Sequence, residues 1–119
     1  MPKKILIVDD SPSMRQMVKF TLTEDGYETV EAEDGKVGLT RTDGCSLIIT
    51  DYNMPEMNGI AFIKGVRAQA ATKFTPIIML TTEHEDVKKD EGKAAGATAW
   101  LVKPFTPEVL KETVKKLIG

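Results

Sequence analysis

Five side chains of the kinds that handle a metal ion and a phosphoryl group each follow a short apolar run. Asp9 and Asp10 follow Ile5–Val8, Asp51 follows Leu47–Ile49 and Thr50, Thr81 follows Ile77–Leu80, and Lys103 follows Trp100–Val102. Two carboxylates about 4 Å apart repel by roughly 4 kcal/mol at an effective dielectric near 20, so three converging acids call for a cation. All the candidate ligands are oxygens, with no His or Cys close by in sequence, which favours a hard ion. Mg²⁺ fits, because it takes one or two carboxylates, keeps several waters and leaves room for phosphate oxygens. Helix capping ahead of Ser11 would explain one of the paired aspartates but not both. A carboxylate such as Asp51 beside that ion can attack phosphorus and form an acyl phosphate. Lys103 offers a point charge to a phosphoryl oxygen, and Thr81 offers a hydroxyl. Lys103 precedes Pro104, and a cis peptide at that bond would aim the lysine inward.

These residues need a scaffold that brings four strand ends together. Runs rich in Ile, Val and Leu read as strands buried on both faces of a parallel sheet, where a terminal charge is costly without a task. Strand and helix signals alternate throughout. Ser11-Pro12 is an N-cap followed by proline at the first helical position, and Met14, Met17, Val18, Thr21 and Leu22 then recur at helical spacing up to a stop at Gly26. A second strand is expected over Glu28–Ala32, a weak helix over Gly35–Arg41, a third strand over Ser46–Asp51, and a helix carrying Ile60, Phe62, Ile63 and Val66. A fourth strand over Pro76–Leu80 leads to a very polar helix over Glu85–Ala95 with Gly92 inside it, which is marginal on propensity alone. A fifth strand over Thr98–Val102 precedes Thr106-Pro107, a second cap-plus-proline start, and a helix with Leu110, Val114, Leu117 and Ile118 on one stripe.

Five strand–helix units in alternation predict an α/β fold, a doubly wound five-stranded parallel sheet with helices on both faces. Right-handed crossovers leave only a few strand orders. Ligands in such sheets sit beyond the C-terminal strand ends where the winding reverses, and in the order 2-1-3-4-5 that point lies between the strands ending in Asp9-Asp10 and Asp51.

At 119 residues the chain is expected to be one domain, 1–119, and 41% hydrophobic with 29% charged residues is ordinary for a soluble globular protein. A net charge of -2 gives no reason to expect nucleic acid or a membrane surface as partner. The four apolar residues after Lys3-Lys4 are too short for a signal-peptide core, so the cytoplasm is the expected location. The single cysteine, Cys45, reads as a small buried hydrophobe rather than a reactive thiol. Met14 and Met17 read as core, and His84, the one histidine, as a solvated residue.

The runs Ile5–Ser11, Gly26–Gly35, Asp51–Gly59, Pro76–Thr82 and Trp100–Phe105, in this order and spacing, resemble the receiver domain of two-component response regulators, most of all the single-domain chemotaxis type. The resemblance covers nearly the whole chain. It implies the flavodoxin-like order 2-1-3-4-5, which is known for that group and is not dictated by the pattern alone. It further implies that Asp51 is the phosphoacceptor, charged by a phosphohistidine on a sensor histidine kinase or by a small acyl phosphate. Mg²⁺ would be held by Asp9, Asp10, Asp51 and the backbone carbonyl of Asn53, and Thr81 and Lys103 would bind phosphoryl oxygens. Thr81 and an inward-turning aromatic at Trp100 would then alter the face formed by the fourth helix, fifth strand and fifth helix. That face would be expected to meet a separate target, such as a flagellar motor switch, because the chain ends at Gly119, one residue past the final helix. A phosphatase is a further implied partner, and the protein is expected to be a monomer.

Two positions depart from the usual pattern. Trp100 replaces a tyrosine and lacks its hydroxyl, and Thr82 stands where a smaller residue is usual and narrows access to the phosphate. Asn53 and Glu83, two residues beyond Asp51 and Thr81, match the chemotaxis pair and predict a short-lived phosphorylated state. One alternative is a haloacid-dehalogenase-type phosphohydrolase, which shares the aspartate, Mg²⁺, hydroxyl and lysine. Those enzymes normally place a leaving-group acid two residues after the nucleophile, where this chain has Asn53. A stand-alone receiver in a non-chemotaxis phosphorelay is the other. Flavin binding is disfavoured by Asp9-Asp10-Ser11, and dinucleotide binding by the lack of a G-x-G-x-x-G run. The expectation is a signalling protein, and not an enzyme beyond its own phosphorylation and dephosphorylation.

Overall fold

A computed structural model describes residues 2–82 and 86–119, with the side chains of 86–89 left aside. The elements alternate as β1 (Lys4–Val8), α1 (Pro12–Glu24), β2 (Glu28–Ala32), α2 (Gly35–Leu39), β3 (Cys45–Asp51), α3 (Gly59–Ala68), β4 (Ile77–Thr81), α4 (Asp86–Ala95), β5 (Ala99–Val102) and α5 (Pro107–Ile118). The strands form one parallel sheet in the order β2-β1-β3-β4-β5. This is the doubly wound order with its reversal between β1 and β3.

Strand periodicity divides the core in two. Ile5, Ile7, Leu47, Ile49, Ile78 and Leu80 point to one face, where they meet Val18 and Leu22 of α1 and Leu110 and Val114 of α5. Leu6, Val8, Ile48, Ile77 and Met79 point to the other, against Phe62, Ile63 and Val66 of α3, with the α2 and α4 residues Val37, Leu39 and Ala95 at its margins. Fully burying each such side chain contributes about 1.5–3 kcal/mol, so the apolar runs that looked too hydrophobic for a one-sided sheet are explained by cover on both faces.

The helix starts follow local chemistry. Ser11 accepts from the Met14 amide at 3.3 Å and Thr106 from Val109 at 3.2 Å, each ahead of a proline in the first turn. Asp34 and Asn58 cap α2 and α3 in the same way. Where boundaries differ from expectation, hydrogen bonding decides. The α2 helix stops at Leu39, because the Thr40 hydroxyl donates to the Val37 carbonyl at 2.7 Å and closes the last turn before Arg41. Strand β4 starts one residue later than expected and includes Thr81, which pairs with Val102. Pro76 has no N–H for the ladder and contributes only its carbonyl, to Ile48. Gly92, a weakness on helix propensity, has a packing reason: a Cβ there would lie 2.7 Å from Met79 Cε, so its absence lets α4 sit close on β4. Cys45 is half-buried rather than fully enclosed, at the start of β3 opposite Lys4, and burial pushes its thiol pKa up. Met14 and Met17 lie half-buried on the α1 side of the core, as expected.

Arg67, at the end of α3, organises the opposite end of the sheet. Its guanidinium donates to the carbonyls of Gly96 at 2.8 and 3.1 Å, Thr72 at 2.9 Å and Thr75 at 2.7 Å. It thereby ties the short 3-10 turn Ala70–Thr72 and the approach to β4 to the turn before β5.

Candidate functional site

The C-terminal ends of β1 and β3 adjoin, and the loops leaving them hold the acids together. Carboxylate oxygens of Asp9, Asp10 and Asp51 all lie within 4.8 Å of one another. Asp9 is fully buried and Asp51 is 6% exposed, whereas Asp10 faces solvent. One Asp9 oxygen accepts from the Ser11 amide at 2.8 Å. Lys103, leaving β5, places Nζ 3.1 Å from Asp51 Oδ1 and 3.4 Å from Asp9 Oδ2. Its backbone N–H donates to the Thr81 carbonyl at 2.7 Å, so the lysine and the fully buried threonine are tied at the same strand ends. The Lys103–Pro104 peptide is cis.

One ammonium among three carboxylates leaves the cluster strongly negative. Burial, and next the charge of Asp9, raise the Asp51 pKa above the usual 3.8, and Lys103 opposes that shift without cancelling it. The donor set is all hard oxygen, partly buried and under-neutralised. It therefore fits a small divalent cation such as Mg²⁺.

The structure brings Asp9, Asp10, Asp51 and Lys103 together. Thr81 ends β4 beside them, Thr82 is exposed immediately after, and Asn53 lies on the exposed turn that follows Asp51. Trp100 sits lower on β5, opposite Met79, half-buried against the α3 side of the core. Glu83, His84 and Glu85 lie outside the described residues.

Four contributors escaped the sequence reading. Gly59 opens α3 directly behind Asp51: its amide donates to the Tyr52 carbonyl at 2.8 Å, and a Cβ would lie 2.4 Å from the Asp51 carbonyl oxygen. Between them, Glu56 takes a φ of 66° within a tight turn closed by the Met57 amide and the Pro55 carbonyl at 2.7 Å. Tyr52 reaches across to α4, where its hydroxyl donates to Glu91 Oε2 at 3.4 Å. Arg15 of α1 donates to the backbone carbonyl of Asp9 at 2.5 Å. A readable signal existed for Arg15, because a cation in the first turn of a helix opposes the helix dipole and is unexpected without a specific partner.

An acidic triad, with Asp9 and Asp51 buried and Asp10 at the surface, stands beside a lysine at the switch point of a flavodoxin-like sheet, an arrangement that fits a cation and a phosphoryl group. The family model of the response regulator receiver domain matches residues 5–115, and the chain belongs to that family. It is 45% identical to a CheY homolog of Campylobacter jejuni, over 98% of this chain and 92% of that one. The solved structure of the chemotaxis protein CheY4 of Vibrio cholerae superposes with a TM-score of 0.95 at 52% identity, covering 98% of this chain and 99% of that one. A receiver domain from a Pseudomonas aeruginosa sensor histidine kinase, solved with magnesium in its active-site cleft, superposes at 0.92 with 26% identity, covering 100% and 99%. The protein is therefore a two-component response regulator receiver, a signalling module, which sets aside the hydrolase and flavin readings. Among the described residues no helix is long and apolar enough to cross a membrane.

Proposed function

We propose that this receiver works in chemotaxis, as a cytoplasmic monomer whose single domain spans 1–119 and which is switched by phosphorylation of Asp51. The similarity to chemotaxis regulators supports the setting. The observation that carries the mechanism is the meeting of Asp9, Asp10, Asp51 and Lys103 at one sheet edge. An Asp51 carboxylate oxygen attacks the phosphorus of a kinase phosphohistidine or a small acyl phosphate. A P–O bond forms as the P–N or P–O bond to the donor breaks, and the donor leaves with the electron pair. Asp9, Asp10, Asp51 and the Asn53 carbonyl would hold Mg²⁺, which when bound neutralises charge on the phosphoryl oxygens. Lys103 exchanges its contact with the Asp51 carboxylate for one with a phosphoryl oxygen, and the Thr81 hydroxyl takes another. Because Lys103 and Thr81 are hydrogen-bonded at the ends of β5 and β4, their shift is passed to the α4–β5–α5 face, which then binds a separate target. A flagellar motor switch fits the setting, and a phosphatase is a second partner. Trp100 has no hydroxyl to exchange, so its part in the switch is a change of packing against α4 and Met79.

The test uses acetyl phosphate and Mg²⁺. The wild type should incorporate one phosphoryl group and change its Trp100 fluorescence, and Asp51→Asn should do neither in response to the phosphodonor. Full incorporation in Asp51→Asn, or none in the wild type, overturns the assignment. Sustained turnover of ordinary phosphate monoesters would restore the hydrolase reading.

A further inference from the structure

We infer that Arg15 is a positioning residue for the cation site: it sets the direction of Asp10 through the backbone carbonyl of Asp9. The inference rests on the metal-site reading above and extends it to a residue that touches neither metal nor phosphate. Asp9 is held at every polar group it has. Its amide donates to the Ala32 carbonyl of β2 at 3.1 Å, its side chain accepts from Ser11 and meets Lys103, and its carbonyl accepts from Arg15 Nη1 at 2.5 Å. That last contact governs more than Asp9. The carbonyl of Asp9 and the amide of Asp10 share one rigid peptide plane, so fixing the carbonyl direction fixes where the Asp10 Cα and carboxylate depart. Asp10 is solvent-exposed and has no burial to orient it, so the backbone before it carries that task.

Arg15 is itself held for the purpose. Its Nε lies 3.3 Å from Glu31 Oε1, and Lys19 supports the other Glu31 oxygen at 3.5 Å. The side chain is only 17% exposed. A guanidinium can meet the carboxylate and the carbonyl at once from one planar fork, whereas a lysine ammonium offers no such fixed pair of donors. The placement also runs against simple electrostatics. A cation near a cation site, in the first turn of a helix, weakens metal binding by charge alone. The two effects therefore have opposite signs, and the sign of the mutational effect separates them.

The experiment is isothermal titration of MgCl₂ into the wild type, Asp10→Asn, Arg15→Ala, Arg15→Lys and Glu31→Gln. Each protein is first checked for native far-UV circular dichroism and titrated well below its urea transition. Loss of an outer partner that orients a metal ligand costs about 10–100-fold in affinity, so Arg15→Ala should weaken Mg²⁺ binding by at least about tenfold. Arg15→Lys should stay weak although it keeps the charge, and Glu31→Gln should fall between. Affinity in Arg15→Ala that is unchanged within twofold, or tighter, overturns the inference. If Arg15→Ala does not fold, unchanged affinity in both Arg15→Lys and Glu31→Gln overturns it equally. Absence of Mg²⁺ binding in the wild type, or binding indifferent to Asp10→Asn, defeats the underlying site reading instead.

Discussion

Asp51→Asn should make the metal-free protein more stable at neutral pH. The sign follows from a competition that the geometry allows to be weighed. Within 4.8 Å of Asp9, the Asp51 charge is repelled by at least about 3.5 kcal/mol at an effective dielectric of 20. Lys103 at 3.1 Å returns about 5 kcal/mol on the same scale. The pair term therefore wins over that repulsion by about 2 kcal/mol, which is less than the several kcal/mol needed to take a carboxylate out of water. Asp10 adds further repulsion, reduced by its exposure to solvent. The balance is unfavourable, in line with the raised pKa of Asp51 and with burial as its largest cause. Asparagine removes the buried charge, and Lys103 keeps Asp9 as a partner at 3.4 Å. The expected gain is about 1–3 kcal/mol in chelator at pH 7, or about 4 °C in Tm for each kcal/mol in a chain of this size.

The pH dependence follows from linkage. A carboxyl whose folded pKa is raised binds more protons folded than unfolded, so wild-type stability falls as pH rises from the ordinary 3.8 to the raised folded value. Below that window Asp51 is protonated in both states, and the advantage of Asp51→Asn should shrink. Urea unfolding of both proteins across this range, with and without Mg²⁺, measures the gap directly. Mg²⁺ should stabilise the wild type more than Asp51→Asn. A destabilised Asp51→Asn, or a gap indifferent to pH, would refute the reasoning.

Two further substitutions probe the frame around the site. Gly59→Ala should cost about 1–3 kcal/mol in urea unfolding, because its Cβ would lie 2.4 Å from the Asp51 carbonyl oxygen and 2.9 Å from Tyr52 Cα. A cost under about 0.5 kcal/mol would show that the loop yields freely. Arg67→Ala should lose about 2–4 kcal/mol by leaving the Gly96, Thr72 and Thr75 carbonyls without their guanidinium donor. Arg67→Lys should restore little of it, since the fork geometry is lost, and full recovery with lysine would contradict this account.

The parts of the fold written in local chemistry were readable beforehand. Apolar runs marked four of the five strands, β1, β3, β4 and β5, and Ser11-Pro12 and Thr106-Pro107 marked the starts of α1 and α5. Asp9, Asp10, Asp51 and Lys103 were conspicuous because each interrupts a buried run, where a charge is expensive. What escaped depends on distant partners. Arg67 bonds to carbonyls up to 29 residues away, and Tyr52 meets Glu91 across 39 residues. The need for glycine at 59 arises from the backbone of Asp51 and Tyr52 behind it, which no periodicity reveals. Strand limits shifted by a residue because ladder hydrogen bonds, rather than hydrophobicity, set where Thr81 and Pro76 belong.

The Arg67 clamp has a consequence for how this architecture can diversify. It fastens the segments entering β4 and β5, while every group at the reactive edge sits where strands leave the sheet. Foldedness and selectivity are thus written at opposite poles of the same strands. Loops at the exit pole can exchange residues, as Thr82 illustrates just beyond β4, while the entry pole goes on guaranteeing the register that aligns them. Descendants of such a chain can acquire new addressees without renegotiating how they fold.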